Sequence, residues 1–260
     1  MKASLLERFS RYLAAQAALP EKIRQPTPLS VTISREAGAG GTTIAEILAD
    51  RLSAVEQPPA SRPWAVFDAD LARQVLEDHK LPPHLESLMT EEAKLPIKEV
   101  VEELLGLHPS RWTLVQHTTK TILKLVSLGH AVIVGRGSHV ITALLPNVVH
   151  VRLVAPFSRR LRYFTDHYKL TSYEAEKMLR DRDESRRHYL RTYFHADIED
   201  PTRYDLTINT GRLGYPDSAD LIYHLLMQRQ KEIRSGELPT ETLGALCTVV
   251  REASRFASSE

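Results

Sequence analysis

The stretch that most limits what this chain can become is Val31-Thr32-Ile33-Ser34-Arg35-Glu36-Ala37-Gly38-Ala39-Gly40-Gly41-Thr42-Thr43-Ile44-Ala45. A β-branched run gives way to a glycine-rich turn, and a helix is predicted to follow to about Leu52. A turn of this kind leaves successive backbone N–H groups unpaired and pointing inward, and the positive end of the following helix adds to them. Glycine lets the backbone take left-handed angles and come close to an anion. Gly38, Ala39, Gly40, Gly41, Thr42 and Thr43 are therefore candidate phosphate-binding positions, and a hydroxyl of Thr42 or Thr43 stands where it would meet a phosphate-bound magnesium ion. The stretch departs from the pattern G-x-x-x-x-G-K-[ST] at two positions: Arg35 takes the place of the first glycine and Gly41 that of the lysine. A tight strand-to-helix connection with no ligand would use the same residues, so the rest of the chain has to decide.

A length of 260 residues allows one large α/β domain, or one domain with helical additions. The balance of 42% apolar and 26% charged residues is that of an ordinary globular protein. A net charge of +1 supplies no field that would draw the chain to nucleic acid or to a membrane surface. The single cysteine, Cys247, excludes an internal disulfide and suits a reducing compartment. No apolar run approaches the roughly twenty residues of a membrane span, and Met1–Arg8 lacks the apolar core of a signal peptide. A cytoplasmic location with no membrane partner is the expectation. No cysteine–histidine cluster has zinc spacing.

Apolar positions at Leu5, Phe9, Tyr12, Leu13 and Ala17 predict an amphipathic helix over about residues 4–18, and Pro20, Pro26 and Pro28 mark a linker. After the glycine-turn helix, residues 57–63 read as a loop and Trp64-Ala65-Val66-Phe67 as a second strand ending at Asp68. A carboxylate at that point lies on the edge where open parallel sheets bind ligands, but aspartate is equally good as a helix N-cap. Asp70 reads as the cap of a helix over about Leu71–His79; Asp68 stays open between the two roles. From Leu81 to Gly129 the pattern is helical, with Pro96 near the start of Ile97–Leu107, a longer helix over Trp112–Leu128 and Gly129 as its stop.

Ala131-Val132-Ile133-Val134 has the continuous apolar character of a strand buried on both faces, and it runs into Gly135-Arg136-Gly137. A guanidinium suits two-pronged phosphate binding, so Arg136 is a candidate ligand-binding residue, with a surface salt bridge as the alternative. Val148–Val154 is the next strand, followed by Pro156 and a basic helix, Phe157–Tyr168. Thr171 and Glu174 form a capping box at the head of a helix carrying Arg180, Arg182, Arg186 and Arg187 among Asp181, Asp183 and Glu184. Such a run is usually a solvated face held by acid–base pairs one turn apart. The excess of arginine over lysine tilts it toward phosphate. Leu206–Asn209 reads as the final strand, Ser218–Leu226 as a helix extending to Lys231, and an apolar segment around Leu243–Val250 precedes a polar tail. Five apolar strands alternating with helices predict one parallel sheet covered on both faces.

In this order the glycine turn, Gly135-Arg136-Gly137, the arginine-rich helix and Tyr204-Asp205-Leu206-Thr207-Ile208-Asn209 resemble the cytidylate kinase family. The closer likeness is to its divergent cytidylate kinase-like branch, over about Leu29–Leu226. The resemblance implies an α/β, P-loop kinase-like fold: a five-stranded parallel sheet with helices on both faces, within a domain at 29–231. A helical acceptor-binding insert would occupy 80–129 and a lid region 178–203, with an N-terminal helix and linker at 1–28 and a C-terminal helical extension and tail at 232–260. It implies that Gly38–Thr43 stands for the family's G-S-G-K-[GS]-T loop, holding the phosphates of ATP with Thr42 or Thr43 near magnesium. Arg136 matches the arginine of the G-R-D that touches the acceptor nucleotide, and Asp68 the aspartate ending the second strand. In the lid the family has an arginine, an acid four residues on and an arginine three later. Arg180, Glu184 and Arg187 fit that spacing; a shifted register uses Asp183 and Arg186. Gly41 replaces the loop lysine, as is common in the divergent branch, and Gly137 replaces the aspartate of G-R-D. Arg35, on the same loop, is the candidate substitute for the missing cation.

The activity expected from this resemblance is transfer of the ATP γ-phosphoryl group to a small acceptor, first of all the pyrimidine nucleotides CMP or dCMP, with ATP and Mg2+ required. Catalysis would be positioning and charge neutralisation, with the lid arginines closing over the donor. The alternatives are a kinase of a different small metabolite, or a non-catalytic nucleotide-binding module, which the missing lysine would suit. Nucleic acid is not an expected partner, because Asp181, Asp183 and Glu184 oppose a phosphate backbone. Any self-association is expected through the terminal helices.

Overall fold

The computed structural model describes residues 28–55, 63–68, 71–73, 75 and 111–235. The helices expected at about 4–18 and at Ile97–Leu107, the cap at Asp70 and the segment around Leu243–Val250 lie outside the described residues. Strand β1 (Ser30–Arg35) leads through α1 (Gly41–Val55) to β2 (Ala65–Phe67); α2 (Arg111–Leu128) precedes β3 (Ala131–Val134). A short α3 (Ser138–Ile141) and β4 (Val148–Val154) come next, then α4 (Phe157–Tyr168), α5 (Ser172–Phe194), a 3-10 turn (Pro201–Arg203), β5 (Leu206–Asn209) and α6 (Tyr215–Ser235). All five strands are parallel, in the order β2-β3-β1-β4-β5.

The expected strands are all present, and the helix ends show where local signals were read short. α6 begins at Tyr215 instead of Ser218 because Pro216 fits the free first turn of a helix and Ser218 closes that turn on the Gly214 carbonyl. α3 is one turn long and carries no readable period. Gly129 does stop α2: its φ is +74° and its N–H closes on the Leu125 carbonyl at 3.0 Å. The capping box forms as expected, with Thr171 accepting from the Glu174 N–H and Glu174 from the Thr171 N–H.

The central strand has two unlike faces. Val31 and Ile33 point into an aliphatic core with Ile44 and Leu48 of α1 and Ile222 and Leu226 of α6, all fully buried. Truncating any one of these large side chains to alanine would cost about 2–5 kcal/mol. On the other face, β1 presents Ser30, Thr32 and Ser34 and β4 presents His150 and Arg152, all buried. Beside this polar strip, Ala131, Ile133 and Val148 pack against Ile122, Leu125 and Val126 of α2. α1 and α3 thus leave the adjacent strands β1 and β3 toward opposite faces. In an open parallel sheet, that divergence puts the ligand crevice at the carboxyl ends of those strands.

His150 lies at the heart of the polar face. Its Nδ1 is 2.7 Å from Thr32 Oγ1, its N–H donates to Asp205, and Asp205 is paired with Arg229 of α6 at 2.9 Å. Burial pushes the imidazole pKa below its usual value, with Asp205 opposing the shift and Arg229 reinforcing it. As pH falls below about 6.5, the unfolded chain takes up a proton that the folded histidine resists, so the contribution to stability is complete above that value and is lost toward acid. Chemical denaturation between pH 7.5 and 5.5 should therefore show a loss of stability, at most about 1.4 kcal/mol per pH unit for this one proton. In His150→Asn that part of the loss should disappear.

Candidate active site

The loop leaving β1 is held open by contacts on every side. Glu36 donates its N–H to the Leu153 carbonyl and accepts from the Ala155 N–H, 2.9 Å from its carboxylate. Gly38 and Gly40 have φ of +78° and +85°. A Cβ at Gly40 would sit 2.5 Å from the Tyr215 ring, so glycine is required there on two counts. Thr210 fixes the rim by donating to the Ala39 carbonyl at 3.0 Å.

Two loop N–H groups are already engaged: that of Ala37 by the Asp183 carboxylate at 2.7 Å, and that of Ala39 by the Glu36 carbonyl at 3.2 Å. Among the described residues, the N–H groups of Gly38, Gly40, Gly41, Thr42 and Thr43 have no protein acceptor. The last three belong to the first turn of the 15-residue α1, whose positive end they carry. Thr42 donates from its hydroxyl to Asp68, and Arg35 lies 3.6 Å from the same carboxylate. A hydroxyl and a carboxylate beside an anion-binding loop fit magnesium, which keeps most of its waters and takes one or two protein oxygens. Among the described residues no group of three or more His, Cys, Asp and Glu forms a metal cage.

Arg35 also meets Gly41. A Cβ on Gly41 would lie 3.1 Å from Arg35 Cγ and 3.4 Å from its Cδ. The arginine stem thus runs through the space where a side chain at 41 would begin.

Asp183 of α5 joins the loop to α4. It accepts from Arg160 at 2.6 Å, and Arg160 also donates to the carbonyls of Ala155 and Ala37 and lies 3.4 Å from Glu36. Arg186, also buried, has its guanidinium 3.9 Å from Asp183. Of the two registers, the structure therefore brings Asp183 to the loop, with Arg186 beside it. Arg180 faces outward, pairs with Glu176 and lies over the Phe157 ring at 4.7 Å. Arg187 pairs with Glu184 and Glu199, and Glu184 is 62% exposed.

Arg136 follows β3 in a turn where three successive residues take left-handed angles: φ is +80° at Gly135, +59° at Arg136 and +68° at Gly137. A non-glycine residue is uncommon there, and such conformations concentrate at functional sites. The turn is clamped, since Gly135 donates to the Ile33 carbonyl and a Cβ on Gly137 would lie 2.7 Å from Phe194. Arg136 itself is buried.

Several residues of the site escaped the sequence reading. Arg160 sits in the basic helix at the spacing Phe157, Arg160, Phe164, and Arg160 and Phe164 both prove buried, so helical periodicity carried that signal. Buried Ser34, Arg152 and His139 and half-buried Tyr204 form a second polar group. Arg152 donates to Ser34 Oγ at 2.9 Å; Tyr204 Oη lies 3.3 Å from Ser34 Oγ and 3.2 Å from His139 Nε2, and donates to the Ile198 carbonyl at 2.8 Å. Burial pushes the Tyr204 phenol above its usual pKa, against the Ser34 hydrogen bond and the Arg152 charge. Nothing local in the sequence joins residues 34, 139, 152 and 204; strand pairing joins Ser34 to Arg152, and tertiary packing adds His139 and Tyr204.

A parallel sheet of this order, with a glycine loop between its central strand and a helix, defines a P-loop kinase-like protein. The chain belongs to the cytidylate kinase-like family, whose family model matches residues 30–212. Among solved structures, an uncharacterized protein from Eubacterium ventriosum ATCC 27560 is similar at 17% identity and a TM-score of 0.55, over 76% of this chain and 98% of that one. Shikimate kinase from Acinetobacter baumannii, in complex with shikimate, aligns at 18% identity and a TM-score of 0.43, over 78% of this chain and 95% of its own. Shikimate kinase from Bacteroides thetaiotaomicron aligns at 13% and 0.45, over 76% and 98%. No curated protein sequence matches the chain. Family and fold support phosphoryl transfer as the general class of chemistry.

The Asp183–Arg160 link carries a direct test. Asp183→Ala would remove one of the two acids beside the buried Arg160 guanidinium and release the Ala37 N–H, which should cost about 3 kcal/mol in chemical denaturation. Arg180→Ala, which removes an exposed pair and a surface ring contact, should cost no more than about 1 kcal/mol.

Proposed function

We propose that the protein transfers the γ-phosphoryl group of ATP to a small acceptor, with CMP and dCMP as the first candidates. The observation that carries this reading is the set of N–H groups of Gly38, Gly40, Gly41, Thr42 and Thr43, which have no protein acceptor among the described residues, beside Thr42, Asp68 and Arg35. Those N–H groups would hold the donor phosphates. Thr42 and Asp68 would hold Mg2+, which supplies charge neutralisation at the phosphates when bound. Arg35 would stand in for the loop lysine, bringing a permanent positive charge from the space over Gly41. Arg186 and Arg136 would face the transferred group and the acceptor. Arg180 and Arg187 would join them by exchanging exposed ion pairs, which are worth little. The chemistry asks these residues for position and charge and for no covalent step. Asp68 would turn from Thr42 and Arg35 toward the metal and the acceptor.

ADP release from magnesium–ATP tests the reading against CMP, dCMP, UMP, AMP, GMP and no acceptor. Turnover with CMP or dCMP above the acceptor-free rate is the expected result. Tight ATP binding without turnover on any acceptor would replace it with the non-catalytic nucleotide-binding reading, which the glycine at 41 favours. With an acceptor in hand, Arg35→Ala should lower kcat by roughly a hundred- to a thousandfold while leaving ATP binding nearly intact. If kcat were unchanged, the charge attributed to Arg35 would have to come from elsewhere.

A further inference from the structure

We propose that Arg152 is an acceptor-binding residue whose guanidinium, framed by Ser34, Tyr204 and His139, forms a subsite for a phosphate or carboxylate group of the acceptor. The word acceptor rests on the phosphotransferase reading; the anion subsite rests on geometry alone.

Arg152 is 7% exposed and sits opposite Ser34 in the pairing of β1 with β4. One of its five N–H groups donates to Ser34 Oγ at 2.9 Å. Among the described residues no carboxylate pairs with it. A guanidinium cannot shed its proton, so near-complete burial without a counter-ion is strongly unfavourable. Tyr204 is not that counter-ion, since burial raises its phenol pKa and keeps it neutral at ordinary pH. The contrast with Arg160 is direct: at 6% exposure, that arginine has Asp183 and Glu36 as acidic partners. The fold therefore neutralises the buried arginine that holds the loop and leaves Arg152 to an incoming anion.

The position suits an acceptor. Ser34 precedes Arg35 in the strand that feeds the phosphate loop, and His139 lies in the first turn of α3, directly after Gly135-Arg136-Gly137. The Tyr204 ring stacks on His139 with centroids 4.9 Å apart, which fixes both. The group thus adjoins the strand that feeds the donor loop and the helix that follows the Arg136 turn, on the sheet face opposite α1. A planar fork with several unused donors matches a phosphomonoester or a carboxylate, and both are tested.

The experiment is a calorimetric titration of inorganic phosphate, and separately of malonate, into protein whose loop is saturated with magnesium and AMP-PNP. Wild type should bind one of the two anions, and which one identifies the acceptor's group. Arg152→Gln should weaken that anion at least about tenfold while AMP-PNP affinity is unchanged. Equal anion binding by wild type and Arg152→Gln, or no binding of either anion by wild type, would overturn the proposal. Should Arg152→Gln fail to fold, the wild-type arginine Nε–H resonance that is missing from Arg152→Lys becomes the readout. It must shift on adding the anion, and an unmoved resonance overturns the proposal. Failure of wild type to bind AMP-PNP would count against the phosphotransferase reading alone, because the same titration without nucleotide still reads the subsite.

Discussion

The buried guanidinium of Arg160 is the interaction on which the site depends. One side chain reaches the Ala155 carbonyl at the end of β4, the Ala37 carbonyl in the loop, Asp183 on α5 and, at longer range, Glu36. Asp183 in turn takes the Ala37 N–H. Desolvating such a pair is expensive, and geometry this complete is what makes it tolerable. Its return is positional: the loop cannot move without breaking contacts to α4 and α5 together. Apolar packing follows the same route, since Ala37, Phe164, Ala175 and Leu179 form one buried cluster. The loop is therefore a part of the α4–α5 hairpin as much as of β1, and its unpaired N–H groups are held apart from one another instead of collapsing onto carbonyls.

A second constraint is the division of β1 into an aliphatic face and a hydroxyl face. Parallel strands covered by helices are ordinarily apolar on both sides, as β3 is. In β1 the alternation of serine and threonine with valine and isoleucine sends three hydroxyls to one face, where β4 adds His150 and Arg152. Polar groups so placed need partners, and the fold supplies them unevenly. His150 has Thr32 and Asp205, with Arg229 behind them, so it is part of how α6 is fastened to the sheet. Among the described residues Arg152 has a hydroxyl, that of Ser34, as its hydrogen-bond partner and no carboxylate. A polar layer below a ligand crevice that is satisfied at one end and electrostatically incomplete at the other is more economically explained by binding than by folding.

The five strands and most helix limits were legible because each rests on a local signal: β-branched runs, a capping box, glycine stops. The loop was legible for the same reason, as was the turn around Arg136. The arginine helix was not, because its sequence holds two acid–arginine pairs one residue apart, Glu184 with Arg187 and Asp183 with Arg186, and only the packing of Asp183 against Ala37 and Arg160 separates them. Residues 34, 139, 152 and 204 were beyond any window, since parallel pairing joins positions more than a hundred residues apart. The functional-site residues missed were thus the ones whose role is tertiary.

Gly41 shows how a departure from a motif can be read physically. Taken alone, a loop without its lysine suggests lost chemistry. In the structure, however, the Arg35 stem passes within 3.1 Å of where a Cβ at 41 would sit, so the two positions compete for one volume. The motif's first glycine and its lysine are replaced together, by an arginine and a glycine. Glycine at 41 leaves room for the arginine stem, whose guanidinium lies beside Asp68. An ammonium on a flexible stem is thereby exchanged for a rigid fork anchored at a strand end. Such a cation is better placed to bridge two groups, such as a carboxylate and a phosphate, than to follow one phosphate through a reaction. The two departures are thus sterically matched: the glycine leaves the space beside which the arginine stem runs.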